Sequence, residues 1–244
     1  MATEPVAKHL TVAGLTVEVV RKDIKNLHLG VYPPHGRVRV AAPLMVGDEA
    51  VRLAVIDKLG WVRQQRAKFA AQPRQSEREM VNGESHYFLG RRYKLRTHEH
   101  DGPARVALRG TASLDLFVRP GTGVADREAV LLRWHREQLR AIVRPMVERW
   151  QSVLDVRVSA WGIKAMKTRW GSANAAARRI WLNLELAKKP VPCIEYIVVH
   201  ELMHMLERHH NGRFAGLMDL HLPQWRQYRA MLNEAPLGHV EWDH

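Results

Sequence analysis

Residues 198–214 read VVHELMHMLERHHNGRF and contain His200, Glu201 and His204 in the pattern H-E-x-x-H. Residues four apart on an α-helix lie about 40° from each other, so a helix here points both imidazoles into the same space. Neutral imidazole is a good ligand for zinc, which favours a tetrahedral shell of protein nitrogens plus water. Glu201 is close enough to hydrogen-bond that water and act as a general base. The stretch therefore predicts a catalytic zinc site.

Three residues compete for the position of third metal ligand. Glu207 lies seven residues after His200, on the same face of an unbroken helix, whereas His209 points to the opposite side. His210 reaches the metal only if the chain turns, and Asn211-Gly212 is a helix-stop signal because both residues tolerate positive φ. The spacing of the three histidines also equals that of the H-E-x-x-H-x-x-G-x-x-H enzymes, although their glycine is replaced here. We therefore predict His210 as the third ligand, with Glu207 orienting a ligand or facing solvent.

A buried helix with two structural histidines is the alternative explanation, since the chain contains 14 histidines. Two features favour the metal site. An apolar run before the motif, with Ile194, Ile197 and Val198, anchors the helix in a core, and a third histidine follows at ligand spacing before a turn.

The composition is that of an ordinary globular protein, with 46% hydrophobic and 26% charged residues in a chain of 244. This length allows one large domain or two small ones. The single cysteine, Cys193, excludes an internal disulfide. No apolar run has the length of a bilayer span, and the N-terminal residues MATEPVAKHL lack the apolar core of a signal peptide. We therefore expect a cytoplasmic protein without a membrane partner.

The formal net charge of +13 is the unusual feature of the composition. A positive field of this size attracts polyanions such as nucleic acids and nucleotides. The basic residues are dispersed along the chain rather than gathered in one block, which is also typical of a surface charge that serves solubility. Association with a polyanion or a nucleic acid through a basic surface is accordingly a secondary expectation.

Short strand patterns separated by turn residues dominate the first 120 residues. They are predicted at 10–20, 27–31 and 37–41, and a helix capped by Asp48 follows to about residue 71. Four more strands are predicted at 86–89, 93–96, 105–108 and 114–118. The sequence P-G-T-G at 120–123 is the clearest break in the chain. We predict an antiparallel β-rich N-terminal subdomain with one helix over residues 1–120.

The remaining residues, 121–244, are predicted to form the metal-binding catalytic subdomain. A long helical pattern covers 126–154, and strand-like segments follow at 156–163, 167–172 and 179–184. Pro190 and Pro192 lead into the metal helix, and two further helices are predicted at 214–220 and 224–233.

Several short motifs, taken as a set, resemble one known family. Residues 167–172 read K-T-R-W-G-S and residues 181–184 read W-L-N-L. They precede V-V-H-E-L and the histidine His210, which an aromatic residue, Phe214, follows four positions later. Residues 89–93, L-G-R-R-Y, are similar to a further element. In these features the chain resembles the YgjP-like metallopeptidases, which are related to the SprT-like and WLM zinc proteases, most clearly over residues 134–232.

The resemblance implies an α+β, zincin-like core in which the helix carrying the ligands packs on a small twisted sheet. It also implies His200, His204 and His210 as Zn²⁺ ligands and Glu201 as the catalytic base, in agreement with their spacing. Members of the family often have a cysteine after W-G-S, and Ala173 occupies that position here.

Three functions are compatible with these features. We predict a zinc-dependent hydrolase, a metallopeptidase acting on a peptide or protein substrate, in which Glu201 moves the proton. An alternative is a nucleoside triphosphate pyrophosphatase, because the resemblance extends to proteins described as nucleotide pyrophosphatases and the positive charge suits an anion; however, the sequence has no Walker-type glycine loop. The third is a nucleic-acid-associated protease or binding module with a structural zinc.

Two further parts of an active site are expected near the metal. The β segment between Trp170 and Asn183 can hold an extended peptide by strand addition. A group that stabilises the oxyanion is also needed, and by position alone the candidates are His221, Arg226 and Tyr228.

Overall fold

The computed structural model describes residues 8–32, 36–71, 79–166 and 169–234. Within these ranges the chain forms eleven strands in three sheets and six α-helices, so the predicted α+β class is confirmed. The described residues fall into two compact units, 8–71 and 79–234. The predicted boundary at residue 120 lies inside the second unit. The division into subdomains 1–120 and 121–244 therefore stays a prediction.

The first unit is a four-stranded sheet followed by two helices. Alternating apolar residues put one face of the sheet against the helices, where Val17, Val19, Val40, Val51 and Val55 are buried. The strands are β1 (Lys8–Val12), β2 (Leu15–Lys22), β3 (His28–Tyr32) and β4 (Arg37–Pro43), in the order β1-β2-β4-β3, and the helices are α1 (Asp48–Asp57) and α2 (Leu59–Ala71).

Three predictions for this unit are wrong in detail. The predicted strand at 10–20 is a hairpin, because Ala13 and Gly14 adopt φ of 48° and 78° and form a two-residue turn. The predicted single helix is interrupted at Lys58, which has φ of −102°. Its cap is Gly47 rather than Asp48, whose carboxylate instead accepts hydrogen bonds from Lys8 and Arg21.

The second unit begins with another four-stranded sheet. The strands β5 (Ser85–Phe88), β6 (Arg91–Glu99), β7 (Arg105–Arg109) and β8 (Ser113–Val118) lie in the order β5-β6-β8-β7. All four strands predicted here are confirmed. The sheet is mixed rather than antiparallel as predicted, because two hairpins lie side by side and their second strands, β6 and β8, run in the same direction.

The two four-stranded sheets share one topology. In each, the second and fourth strands pair in parallel and the flanking pairs are antiparallel. The first turns match as well, since Leu89 and Gly90 adopt φ of 48° and 80°, close to the values at Ala13 and Gly14. A helix follows each sheet, and each of these helices has a glycine N-cap. The chain thus uses the same strand–helix arrangement twice.

Helix α3 (Val124–Val153) connects two hydrophobic clusters of the second unit. Leu131 and Trp134, from its first half, pack beneath the β5–β8 sheet. Leu139, Val143 and Val147 belong to the cluster around the next helix, α4 (Val191–Met203). The predicted helix at 126–154 is therefore confirmed, and it supports the helix that carries the histidines.

The third sheet lies beside α4. Its strands are β9 (Ala160–Lys164), β10 (Gly171–Asn174) and β11 (Arg179–Asn183), in the order β10-β11-β9, so β10 is an edge strand. The predicted strand at 167–172 is shifted toward the C-terminus, and Lys167 and Thr168 lie outside the described residues. Helices α5 (Gly212–His221) and α6 (Trp225–Glu234) complete the unit, as predicted. Among the helices of the described ranges, none combines the length and apolar character that crossing a membrane requires.

Candidate metal centre

Helix α4 brings the H-E-x-x-H residues into the core. Pro190 is its N-cap and Pro192 lies in its first turn, where a proline loses no helical hydrogen bond. Nine of its thirteen residues are buried. The helix ends at Met203 with His204 as its C-cap, eight residues before Asn211, where the stop signal Asn211-Gly212 begins. Asn211 instead begins α5, since its side chain accepts a hydrogen bond from the Phe214 N–H (3.0 Å) and asparagine is also a favourable N-cap.

The early helix end brings three histidines together. His200, His204 and His210 each offer one ring nitrogen, and these nitrogens all lie within 4.8 Å of one another. The Nε2 atoms of His200 and His210 are 2.9 Å apart. His200 and His204 are partly buried, whereas His210 is exposed. The three residues predicted as ligands therefore converge, and neither Glu207 nor His209 belongs to the cluster.

Burial favours the neutral imidazole at two of the three histidines, His200 and His204. Burial, together with the neighbouring His204 and His210, lowers the pKa of His200 to about 3. Burial also lowers the pKa of His204, although a hydrogen bond with the Glu207 main chain opposes this effect. Neutral rings keep a nitrogen lone pair available for a cation. The three ring nitrogens of the cluster, at this spacing, fit the ligand set of a divalent metal such as zinc.

The orientation of His204 is fixed by the main chain. Its Nδ1 lies 3.1 Å from the carbonyl oxygen of Glu207, a partner that assigns the proton to Nδ1 and leaves Nε2 for a metal. The carboxylate of Glu207 accepts a hydrogen bond from the His209 N–H (3.1 Å). Of the two roles expected for Glu207, orienting a ligand or facing solvent, the structure supports the first. Glu207 orients His204, but through its main-chain carbonyl group.

Phe214 forms the floor of the cluster. Its ring centroid lies 5.1 Å from that of His200, 5.0 Å from that of His204 and 4.8 Å from that of His210. The side chain itself is buried. A single apolar ring therefore restricts the rotamers of all three imidazoles.

Glu201 is the buried acid of the site, with 5% of its surface exposed. Burial raises the pKa of its carboxyl group to about 8, and the positive charge of Arg169 opposes part of that rise. The carboxyl group lies against the Cα of Gly171, the first residue of β10. Glu201 can consequently exchange a proton near neutral pH, as acid–base catalysis requires.

An open cavity of about 730 Å³ contains the histidines, Glu201 and the strand β10. Three arginines, Arg169, Arg208 and Arg229, also line it. All three are exposed, and Glu201 is the only acidic residue among the described residues that line the cavity. The cavity thus presents a positively charged rim around a partly apolar floor.

The three residues that the sequence suggested for oxyanion stabilisation are not among the described residues that line the cavity. The Tyr228 hydroxyl hydrogen-bonds Gln224 (2.9 Å), Arg226 pairs with Asp219, and His221 is the last residue of α5. Tyr196 lines the cavity instead, with its ring 5.7 Å from that of His200. Its position one helical turn before His200 is a sequence signal that could have identified it.

Asn183 holds the segment that precedes β10. Its side-chain NH₂ donates to the carbonyl oxygens of Arg169 (2.8 Å) and Met166 (3.0 Å), and its Oδ1 accepts from the Glu185 N–H (3.2 Å). The Asn183 main-chain N–H donates to Trp170 O (2.9 Å). The asparagine of the W-L-N-L motif therefore fixes the K-T-R-W-G-S segment next to Glu201.

Comparison with known proteins identifies the relatives of this chain. A search of curated protein sequences finds no match. The profile of the family described as YgjP-like, metallopeptidase domain, matches residues 25–235, which include every motif discussed above. Since the match covers most of the 244 residues, the chain belongs to the YgjP-like metallopeptidase family.

Proposed function

We propose that the protein is a zinc-dependent metallopeptidase that hydrolyses peptide bonds, with a zincin-like arrangement of α4 and the β9–β11 sheet. One observation carries this proposal: three imidazoles converge beside a buried carboxyl group on the wall of an open cavity. A structural metal site would be closed and would not need the acid.

His200, His204 and His210 would hold the metal ion. Bound there, zinc would supply Lewis acidity and a positive charge that stabilises ionised Glu201. Glu201 accepts a proton from the attacking water and delivers it to the leaving amine. Its burial supports both roles, because it brings the pKa of the carboxyl group to about 8 and limits exchange with bulk water.

The edge strand β10 is positioned to bind an extended substrate. It pairs with β11 on one side only among the described strands, and its residues line the cavity. A peptide that adds to this edge gains main-chain hydrogen bonds and passes beside Glu201. Tyr196 is the proposed oxyanion donor, because burial raises the pKa of its hydroxyl group and keeps it protonated.

Hydrolysis of a nucleoside triphosphate is the second candidate function. The arginines that line the cavity, Arg169, Arg208 and Arg229, favour it. Guanidinium groups bind phosphate oxygens in a bidentate manner and stabilise the charge that develops in phosphoryl transfer. The same groups also suit an acidic peptide, so the arginines support an anionic substrate of either kind.

The two candidates are distinguished by a substrate screen of the zinc-loaded protein. A peptide library and the four common nucleoside triphosphates are tested in parallel, with Glu201→Gln as the inactive form. Glu195→Gln is the matched control, because Glu195 lies on the same helix but hydrogen-bonds Trp150 (2.8 Å) outside the cavity. We expect peptide cleavage by the wild type and by Glu195→Gln, and none by Glu201→Gln, with zinc retained throughout.

The other outcomes each contradict a specific part of the proposal. Cleavage of nucleoside triphosphates alone, lost in Glu201→Gln, would assign the same residues to a pyrophosphatase. Turnover that survives Glu201→Gln would remove Glu201 from the reaction. Bound zinc without any hydrolysis would favour a structural site in a binding module.

A further inference from the structure

The β5–β8 sheet has two faces of opposite character. One face packs on α3 through Leu95, Leu114 and Leu116, which are fully buried. Because side chains alternate along a strand, the neighbours of these residues point away from that core. They make up the outer face of the sheet, which is distinct from the cavity described above.

The outer face is strongly basic. Its exposed side chains on β6 and β7 include Arg92, Lys94, Arg96, Arg105 and Arg109. The acid on this face, Asp115, is 1% exposed and lies beneath Arg109 (2.8 Å) and His98 (3.5 Å). The negative charge is therefore covered, and the cations form the accessible surface.

Three planar groups lie in a row across the strands of this face. His98, Phe117 and Arg105 are register neighbours on β6, β8 and β7. The His98 ring stacks on Phe117 with centroids 4.8 Å apart and an interplanar angle of 20°. The Arg105 guanidinium carbon lies 3.8 Å from the Phe117 ring centroid. The two outer members, His98 and Arg105, retain exposed surface.

We propose that the outer face of the β5–β8 sheet binds single-stranded nucleic acid. The cations of β6 and β7 contact the phosphates, and unpaired bases stack on the row formed by His98, Phe117 and Arg105. A flat sheet that combines a positive surface with stacking groups is the general solution for binding unpaired strands without sequence preference. Anionic lipid headgroups and acidic proteins match the charge alone and have no use for stacked planar groups. DNA and RNA share the required chemistry.

The test measures binding of the full chain to fluorescein-labelled dT20 and rU20 by anisotropy over a range of salt concentrations. The variant Arg96→Gln/Arg105→Gln removes two cations from the face. The matched control is Arg133→Gln/Arg140→Gln, which removes two exposed arginines from α3 and has the same net charge as the Arg96→Gln/Arg105→Gln variant. Phe117→Leu removes the central ring and keeps every charge. Melting temperatures verify that each variant is folded.

We expect micromolar or tighter binding by the wild type at low salt. The Arg96→Gln/Arg105→Gln variant should bind at least about 10-fold more weakly. The slope of log affinity against log salt concentration should also be smaller by about 1.4, since each phosphate contact contributes about 0.7. Phe117→Leu should weaken binding about 5-fold or more through lost stacking, with an unchanged salt slope. The control should bind as the wild type does.

Three outcomes would overturn the proposal. Equal losses in the face variant and the α3 control would show that only the net charge matters. An unchanged affinity in Phe117→Leu together with binding to phosphatidylserine vesicles would assign the face to a membrane. Failure to bind either oligonucleotide at low salt would exclude a nucleic-acid partner.

Discussion

The Cα of Gly171 lies in contact with the side chain of Glu201. A Cβ placed on Gly171 would come within 2.7 Å of Glu201 Cγ and 2.8 Å of its carboxyl carbon. Real Cβ atoms do not approach other atoms so closely, so the glycine of the W-G-S motif is needed for space. The positive-φ residues do not include Gly171, so a conformational requirement is not involved. Sheet and helix thus meet at the acid of the proposed active site.

The first prediction concerns this contact. Gly171→Ala should displace the Glu201 carboxyl group or push β10 away from α4. Because a displacement of about 1 Å can cost about 100-fold in rate, we expect kcat to fall about 10- to 100-fold. The free energy of unfolding should fall by about 1–3 kcal/mol through overpacking. Zinc content should stay unchanged, since the atoms nearest to the added Cβ belong to Glu201 and not to a histidine.

Gly162→Ala is the control for this substitution. A Cβ at Gly162 would clash with the Trp181 ring, at 2.9 Å from its Cε3 atom, but neither residue lines the cavity. The control should lose stability and keep kcat. A Gly171→Ala protein with wild-type turnover would show that the position of the Glu201 carboxyl group does not limit the reaction.

Short-range periodicity explains why the histidine cluster could be found in the sequence. The one-turn spacing of His200 and His204 depends only on local helix geometry, and the convergence of these two residues followed from it. The position at which α4 ends does not follow from local helix geometry. In the sequence, Asn211 predicts a stop for α4 because asparagine tolerates positive φ, whereas in the structure it caps α5 through its side chain. His210 therefore lies in the cluster, although the turn that brings it there differs from the expected one, and its role as a metal ligand stays a prediction.

Pairing between distant strands was beyond the reach of local patterns. Strands 86–89, 93–96, 105–108 and 114–118 were located from alternation and glycine turns, but the parallel pairing of β6 with β8 depends on how two hairpins align. The contact of Gly171 with Glu201 likewise joins residues 30 positions apart. Contacts between residues far apart in the sequence are set by packing of the whole unit. Local sequence patterns therefore cannot predict the shape of the cavity.

The second prediction tests the third ligand with two adjacent histidines. His210→Ala removes a nitrogen from the cluster, whereas His209→Ala removes an exposed ring outside it. Loss of a supporting residue around a metal costs about 10–100-fold in affinity, so loss of a ligand should cost at least about 100-fold. Zinc affinity is measured by competition with a chromogenic chelator. Equal loss in His209→Ala would show that the ligand assignment is wrong.

The third prediction concerns Asn183, whose side chain holds the segment before β10. Asn183→Ala leaves the carbonyl oxygens of Met166 and Arg169 without their donor, so we expect the free energy of unfolding in urea to fall by about 1–3 kcal/mol. The exposed Asn174, which accepts from the Ala177 N–H (2.9 Å), is the control. Asn174→Ala should lower the free energy of unfolding by well under half as much as Asn183→Ala does. Similar losses of stability in Asn183→Ala and Asn174→Ala would show that the Asn183 side chain does not hold the segment before β10.

The fourth prediction separates two tyrosines. Tyr196→Phe removes the proposed oxyanion donor and keeps the ring that stacks on Trp225 (centroids 6.3 Å apart, 17°). Removal of one such donor typically lowers kcat about 100-fold, and KM should change little because the donor acts in the transition state. Tyr228→Phe loses only the hydrogen bond to Gln224 and should keep kcat. The reverse result would make Tyr228 the donor.

The fifth prediction concerns the pH dependence of stability at Lys189, which is 4% exposed. Burial lowers the pKa of its ammonium group from 10.5 to about 8, and the Glu185 carboxylate opposes this. Between these pH values the unfolded chain binds more protons than the folded chain. The contribution of Lys189 to the free energy of unfolding therefore rises with pH from about 8 to about 10.5, and it is least favourable below pH 8.

Lys189→Met should consequently stabilise the protein at pH 7, by about 1–3 kcal/mol, because the variant no longer buries an ammonium ion. The gain should shrink as pH rises and become small near pH 10.5, where the wild-type lysine is neutral in the folded state and half protonated when unfolded. Lys188→Met is the control: its ammonium group pairs with Glu185 (2.6 Å), so its loss should give no stabilisation at pH 7. Urea unfolding at pH 7, 8, 9 and 10 measures both variants. A stability difference between Lys189→Met and the wild type that stays constant across this range would show that Lys189 titrates alike in the folded and unfolded states.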